Sequence, residues 1–229
     1  MGEVNRAVLL AAGLGTRLKW MTRDRPKALM DMGGEPAIVR VIRRLVAQGI
    51  HDIVINVHHH ADKLIEYLGD GSHFGVRLYY SREQVLLDSG GGVRTALEKL
   101  PGSGSFVVHN SDVIADIDLI RLADRLPENG AILAMVKNSS HHPQGDFGIS
   151  DGNITGVKTP GYTYSGVSLW SEESLFNFQA NSHFPLVQPM RQLMEIGRLA
   201  GVLHSGVWFD IGRPKELMMA REYFSRGEA

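Results

Sequence analysis

The sequence predicts an α/β fold built on a mostly parallel central sheet with helices on both faces. Short apolar runs alternate with longer amphipathic runs through the first half of the chain. The short runs are rich in β-branched or aromatic residues, as strands are, and the longer ones carry apolar residues at helical spacing. Strands that alternate with helices in this way pair in parallel, and the crossovers cover both faces of the sheet.

Ala7–Leu10 reads as the first strand. Ile38–Gln48 follows as a helix with Ile38, Val41, Ile42, Leu45 and Val46 on one face, ending at Gly49. Ile53–Val57 is the next strand, Ala61–Leu68 a shorter helix closed by Gly69, and Val76–Tyr80 a third strand. Val93–Leu100 reads as a helix closed by Pro101, with Gly90, Gly91 and Gly92 as a tight turn at its entry, and Phe106–His109 is the strand after it. In the less regular second half, Ala131–Val136, Phe147–Ile149, Ile154–Val157 and Thr163–Trp170 are strand candidates, some joined by turns such as Asp151-Gly152-Asn153. Leu186–Ile196 and Pro214–Phe224 read as helices, the second with proline near its first turn. No repeat, low-complexity tract or linker divides the chain, so residues 1–229 are expected to form a single domain. In such sheets ligands gather at the carboxyl ends of the strands, which makes the residues just after each strand the candidates for function.

The bulk numbers exclude several classes. The chain has 229 residues, 43% hydrophobic and 21% charged, an ordinary globular composition. A formal net charge of −1 gives no reason to expect a nucleic-acid or anionic-membrane partner. The absence of cysteine removes disulfides, thiol catalysis and zinc–thiolate sites. No apolar run reaches the roughly 18 residues a membrane span needs, and Met1 to Arg6 leads straight into the short run Ala7–Leu10 rather than into a signal-length stretch. A soluble, cytoplasmic protein is expected, as a monomer or small homo-oligomer.

The strongest local signal is Leu10-Ala11-Ala12-Gly13-Leu14-Gly15-Thr16-Arg17-Leu18, directly after the first strand. Glycines there bring backbone close to a ligand, and successive amide N–H groups can cradle phosphate oxygens. A dinucleotide fingerprint would need a third glycine where Leu18 stands, and a carboxylate closing the second strand. A P-loop would need Gly-Lys-Ser/Thr, which does not follow. What remains is a glycine loop with cations in and beyond it: Arg17, Lys19, Arg23, Arg25 and Lys27. Arg17 can pair with phosphates through its planar fork, and Pro26 stiffens the approach of Lys27.

Leu-Ala-Ala-Gly-x-Gly-x-Arg followed by Arg25-Pro26-Lys27-Ala28-Leu29 resembles the signature of the sugar-1-phosphate nucleotidyltransferases. The resemblance implies the Rossmann-like fold of nucleotide-diphospho-sugar transferases. It implies catalytic roles for Arg17, on the triphosphate, and Lys27, against the α-phosphate. It also implies a nucleotide site made by Leu10, Ala11, Ala12, Gly13, Gly15, Thr16, Asn56, Ser89, Gly90 and Asn110. Asn110-Ser111-Asp112-Val113 is similar to the family's Asn-Gly-Asp, with serine for glycine, and Trp208-Phe209-Asp210-Ile211-Gly212 to its Trp-x-Asp-x-Gly. Taken alone, each aspartate is most simply a turn or cap residue. By resemblance, Asp112 and Asp210 hold Mg²⁺, a hard ion suited to carboxylates and substrate phosphates. Leu87-Asp88-Ser89-Gly90-Gly91-Gly92 resembles the family's base-reading Leu-Gly-Thr-Ala-Gly segment, with Asp88 where glycine is usual.

Within the family, Leu87–Gly92, Gly145-Asp146-Phe147, Tyr164-Ser165-Gly166-Val167 and Phe184-Pro185-Leu186 look most like the short N-acetylmuramate 1-phosphate uridylyltransferases of peptidoglycan recycling. So does the end of the chain soon after the helix that follows Asp210, with no room for an appended β-helix. That likeness implies UTP and N-acetylmuramate 1-phosphate as substrates and Asn138, Asp146, Ser165 and Gly166 in the sugar pocket. Guanylyltransferases for mannose or heptose 1-phosphate share much of the pattern. The family's Glu-Lys-Pro has its nearest counterpart in Val157-Lys158-Thr159-Pro160. His58 is a candidate for the nucleotide pocket, and His141 and His142 for an acidic sugar substituent, each against the plainer reading of a polar loop.

The expected reaction is in-line attack of the sugar phosphate on the α-phosphorus, with pyrophosphate leaving. A phosphate monoester has its second pKa at about 6, so its nucleophile needs no general base at neutral pH. Alignment and charge stabilisation then carry the catalysis. A non-catalytic sensor of nucleotide-sugars is a rival, against which the joint presence of Arg17, Lys27, Asp112 and Asp210 argues. A glycosyltransferase would carry Asp-x-Asp; Asp116-Ile117-Asp118 has that spelling but stands where a helix starts, a place for caps.

Overall fold

The computed structural model describes residues 4–139, 142–156 and 161–226. Strands β1 (Arg6–Leu10), β2 (Asp52–Val57), β3 (Arg77–Arg82) and β4 (Ser105–Asn110) pair in parallel, with β1 between β2 and β4. A short strand β5 (Val113–Ala115) leaves the sheet after β4. The sheet continues through β6 (Ala131–Val136), β7 (Gly148–Ser150), β8 (Asn153–Thr155), β9 (Thr163–Ser171) and β10 (Leu199–Leu203), in the order β3-β2-β1-β4-β9-β6-β10-β8-β7. β9 is antiparallel to both β4 and β6, while β6 and β10 are parallel. Seven strands therefore point one way, with β9 and β8 reversed among them, and the β7–β8 hairpin closes one edge. This is the mostly parallel sheet that the alternating pattern predicts.

Alternation along the strands sends apolar side chains to both faces. Ala7, Leu9, Ile53 and Ile55 pack under helices α1 (Ala37–Ala47), α2 (Ala61–Leu68) and α4 (Leu119–Ala123), through Ile38, Val41, Ile42, Leu64 and Leu122. Val8, Val54, Phe106, Val108 and Trp170 pack on the opposite face under α3 (Asp88–Ala96) and α5 (Val187–Glu195), through Val93, Met190 and Leu193. A third, smaller apolar cluster joins Leu18, Met30, Ile114 and Ile211 to Leu217, Ala220 and Phe224 of α6 (Pro214–Ser225). It braces the segment after the glycine loop against the last strand, β11 (Trp208–Asp210), which pairs antiparallel with β5.

Several sequence expectations are corrected here. The Val93–Leu100 helix starts five residues earlier, at Asp88, and Gly90, Gly91 and Gly92 are buried helical residues rather than an entry turn. Tertiary packing overrides helix propensity at these glycines, because a Cβ at each would collide with neighbours: the Phe184 ring at 2.5 Å, the Ser182 carbonyl at 2.0 Å and the Asn56 amide at 2.5 Å. β10 has no counterpart among the expected strands, since Gly201 at its centre weakens the strand pattern and packs against Ile154. Val157, Lys158, Thr159, Pro160 and His141 lie outside the described residues.

Candidate active site

Three neighbouring strands come level at Leu10, Asn56 and Asn110, at or one residue before their ends, the register pairing Leu10 with both asparagines. Asn56 ties the glycine loop to the sheet: its Oδ1 accepts from Ala11 N–H at 2.7 Å while its Nδ2 donates to Glu83 Oε1 at 2.7 Å. Glu83 is buried, and its other oxygen accepts from Leu87 N–H at 3.0 Å, so one carboxylate joins loop, strand and the entry to α3. Ser111 anchors the adjacent turn through Oγ–H and N–H, which donate to Leu10 O at 2.7 and 3.0 Å. The serine that departs from the family's glycine thus has a bonding role.

After Ala11 and Ala12 the loop runs through Gly13, Leu14 and Gly15 into the 3-10 segment Thr16–Thr22. Among the described residues none accepts a hydrogen bond from the N–H groups of Gly13, Leu14 or Gly15. These are the donors a phosphate would take. Arg17 is exposed and lies against Gly212, where a Cβ would sit 3.2 Å from its guanidinium carbon. Lys27 follows extended Pro26 and opens the 3-10 turn Lys27–Leu29. Its ammonium forms an ion pair with Asp112, with only 12% of the lysine side chain exposed.

The two aspartates, far apart in the chain, are joined by the β5–β11 ribbon. Asp210 pairs with Val113 in register, and Ile211 N–H donates to Asp112 O at 3.0 Å. Gly212 N–H folds back onto Asp210 Oδ1 at 3.0 Å. Burial, and next the Asp112 carboxylate, push the Asp210 carboxyl above the ordinary range, with Lys27 and Arg17 opposing. Asp112, Asp210, Lys27 and Arg17 therefore act on one another as a single charged group.

Connected cavities surround this group. One of about 400 Å³ is lined by Leu10, Ala12, Gly13, Asn56, Ser89 and Asp112, among others. A second, of about 330 Å³, shares Leu10, Ser89 and Asn110 with it and adds Asp146, Tyr164 and Leu186. A third, of about 270 Å³, shares Asn110 and Tyr164 and includes Arg17, Ser165, Gly166, Asp210 and Arg213. Gly166 has φ +87°, and a Cβ there would sit 2.6 Å from Asn110 Nδ2, so only glycine lets β9 pass the end of β4 this closely. Ser165 is buried, with its Oγ accepting from Val167 N–H. Ser89 Oγ accepts from Leu186 N–H at 3.0 Å, while Gly90 is packed under Phe184.

Asn138 lines none of these three cavities. Its amide is spent within the loop, donating to Pro143 O and Gly161 O and accepting from Thr163 Oγ1. Asp146 lines the second cavity, with one oxygen held by Tyr164 N–H at 2.8 Å and the other 3.0 Å from His142 Nε2. His58 stays outside all three cavities, its Nδ1 2.8 Å from Glu83 O. Asp118 caps α4 through Ile120 and Arg121 N–H, and Asp116 pairs with His204, so Asp-x-Asp has structural partners.

Sequence reasoning missed Glu83, His183 and Arg213, which line the cavities without a motif, and Tyr164, which stands in the Tyr164-Ser165-Gly166-Val167 motif but was given no role. A lone carboxylate after a strand is the one signal that could have found Glu83.

A family model described as nucleotidyl transferase matches residues 6–159. The chain is 36% identical over 215 residues to an N-acetylmuramate alpha-1-phosphate uridylyltransferase of Neisseria meningitidis serogroup B, covering 90% of this chain and 93% of that one. It is 32% identical over 230 residues to the protein of the same name from Caulobacter vibrioides, covering 93% and 94%. The crystal structure of HddC from Yersinia pseudotuberculosis superposes with a TM-score of 0.81 over 96% of this chain and 100% of that one; at 24% identity this is a likeness of fold.

Proposed function

Because this chain belongs to the nucleotidyl transferase family, we propose that it transfers the uridylyl group of UTP to N-acetylmuramate 1-phosphate, releasing pyrophosphate. The observation that carries the reading is the convergence of Lys27, Asp112 and Asp210 beside a glycine loop whose N–H groups have no acceptor among the described residues. The choice of UTP and the muramate over other pairs draws on the two relatives that share at least 32% identity over nearly their whole length.

In this reading the N–H groups of Gly13 and Gly15 and the Arg17 guanidinium hold the β- and γ-phosphates, and Thr16 borders them. Leu10, Ala11, Ala12, Asn56, Ser89, Gly90 and Asn110 enclose the base and ribose. Asp146, Ser165 and Gly166 border the sugar, while Asn138 shapes the loop beside it. The sugar phosphate oxygen attacks the α-phosphorus in line. Lys27 leaves Asp112 for the α-phosphate and stabilises the charge that grows there. Arg17 steadies the departing pyrophosphate.

Asp112 and Asp210 would hold a divalent cation such as Mg²⁺. The residues fit it: two carboxylates side by side, one raised by burial and by its neighbour, offer a hard ion what its shell of phosphate oxygens and water lacks. When bound, the ion would offset the repulsion between the two phosphate groups. The reaction would serve the recycling of cell-wall muramate in the cytoplasm.

Pyrophosphate release with Mg²⁺ tests the reading, crossing UTP, GTP, dTTP, CTP and ATP with sugar 1-phosphates that include N-acetylmuramate 1-phosphate. The expected signal is UTP with the muramate. GTP with mannose or heptose 1-phosphate would overturn the substrate assignment and keep the reaction, and full activity in excess EDTA would remove the metal.

A further inference from the structure

The third cavity places two guanidinium groups beside the Asp210 carboxylate. Arg17 and Arg213 both line it, and neither guanidinium has a hydrogen-bond or ion-pair partner among the described residues. Lys27, by contrast, is paired with Asp112. Lys27 and Arg17 are assigned above to the triphosphate, whereas Arg213 has no place in that scheme and shares its cavity with Ser165 and Gly166, which border the sugar in it.

Its placement is built rather than incidental. Gly212 N–H folds onto Asp210 Oδ1, and Arg213 follows at the N-cap of α6, extended at φ −137°, with Pro214 at the first helical position. The Arg213 side chain makes no capping bond, so the helix does not consume it. Trp208 beside it is fixed by donating from Nε1 to Ser165 O at 2.9 Å, which gives the cavity a firm wall. His142, the sequence candidate for an acidic substituent, lines the same cavity but is paired with Asp146.

We propose that Arg213 is a specificity residue that reads a carboxylate on the sugar, the lactyl group that N-acetylmuramate 1-phosphate carries and N-acetylglucosamine 1-phosphate lacks. The inference rests on the substrate reading above. A guanidinium suits the task because its planar donors meet both carboxylate oxygens at once, which an ammonium does not.

The test is calorimetric binding of UDP-N-acetylmuramate and UDP-N-acetylglucosamine to the wild type and to Arg213→Gln and Arg213→Lys, with thermal midpoints recorded. The wild type is expected to favour the muramate nucleotide. Arg213→Gln should lower that preference by about 10- to 100-fold, the worth of a charged hydrogen-bonded contact, and Arg213→Lys by less. Equal weakening of both nucleotides would mean that Arg213 grips phosphate or supports α6, and would overturn the proposal. An unchanged preference would overturn it too. A wild type that releases pyrophosphate from UTP and the muramate while Arg213→Gln keeps the preference sinks this inference alone. A wild type that neither releases pyrophosphate from that pair nor favours the muramate nucleotide sinks the substrate reading and this inference together.

Discussion

Lys27 and Asp112 neutralise each other in a pocket where the lysine is almost out of water, and the proposed mechanism opens that pair. An ammonium freed onto the α-phosphate is a preorganised charge, and losing one such charge costs about two to three orders of magnitude in turnover. Lys27→Ala and Asp112→Asn should each lower kcat by at least about 100-fold in steady-state pyrophosphate release; a wild-type rate in either variant would remove that residue from the mechanism. Asp210 gives a prediction of opposite sign for stability. Its carboxyl is raised, so at neutral pH the folded protein holds the charged form at a cost that the unfolded chain does not bear. Asp210→Asn keeps the acceptor for Gly212 N–H and removes that cost. The thermal midpoint at pH 7 to 8 should rise while turnover collapses, and the gain should vanish as pH falls through the raised pKa. A lower midpoint for Asp210→Asn at pH 8 would contradict this account.

Among the elements, α3 bears most directly on the site. Its three glycines would be a defect by propensity, each costing about 1 kcal/mol against alanine in a helix interior. Gly92 nonetheless lies where a Cβ would stand 2.5 Å from Asn56 Nδ2 and 2.7 Å from Glu83 Oε1. The close approach leaves intact the pair that anchors Ala11 and, through it, the glycine loop. Gly92→Ala gains the propensity but forces apart a buried hydrogen-bonded pair, at a cost of about 1–3 kcal/mol. Urea unfolding should show a less stable protein, and KM for the nucleotide should rise because Asn56 lines the first cavity. A variant with both values unchanged would show that the helix shifts freely and that the glycines do not position the loop. The β5–β11 ribbon works similarly for the carboxylates, setting Asp210 beside Asp112 by backbone register rather than by side-chain contact.

For the molecule as a whole, the central sheet buries His109 of β4, its Nδ1 2.8 Å from Asn110 O, and burial pushes its pKa down to about 4. The folded protein keeps this ring neutral, whereas the unfolded chain protonates it near pH 6.5. Between those values the unfolded state binds more protons, so stability should fall on acidification from about pH 6.5 to 4, by up to about 3 kcal/mol. Urea titrations across that window should show the slope in the wild type and a shallower one in His109→Asn; identical slopes would assign the acid sensitivity elsewhere. At the same scale the limits of sequence reading become visible. Alternating apolar runs determined the fold class, most strand and helix positions and the glycine loop, because burial on two faces and backbone freedom leave marks within a few adjacent residues. Arg17, Lys27, Asp112 and Asp210 were legible as motif members for the same local reason. Which side chains are spent and which remain available was decided only in three dimensions. Asn138 is consumed by its loop, His142 by Asp146 and Asp116 by His204, while Arg213 on a cavity wall has no partner among the described residues. Such pairings join residues up to 88 positions apart in this set, and the helical glycines at 90 to 92 answer to Asn56, Glu83, Ser182 and Phe184. Local pattern determined what each segment becomes; packing between distant segments decided what each side chain is free to do.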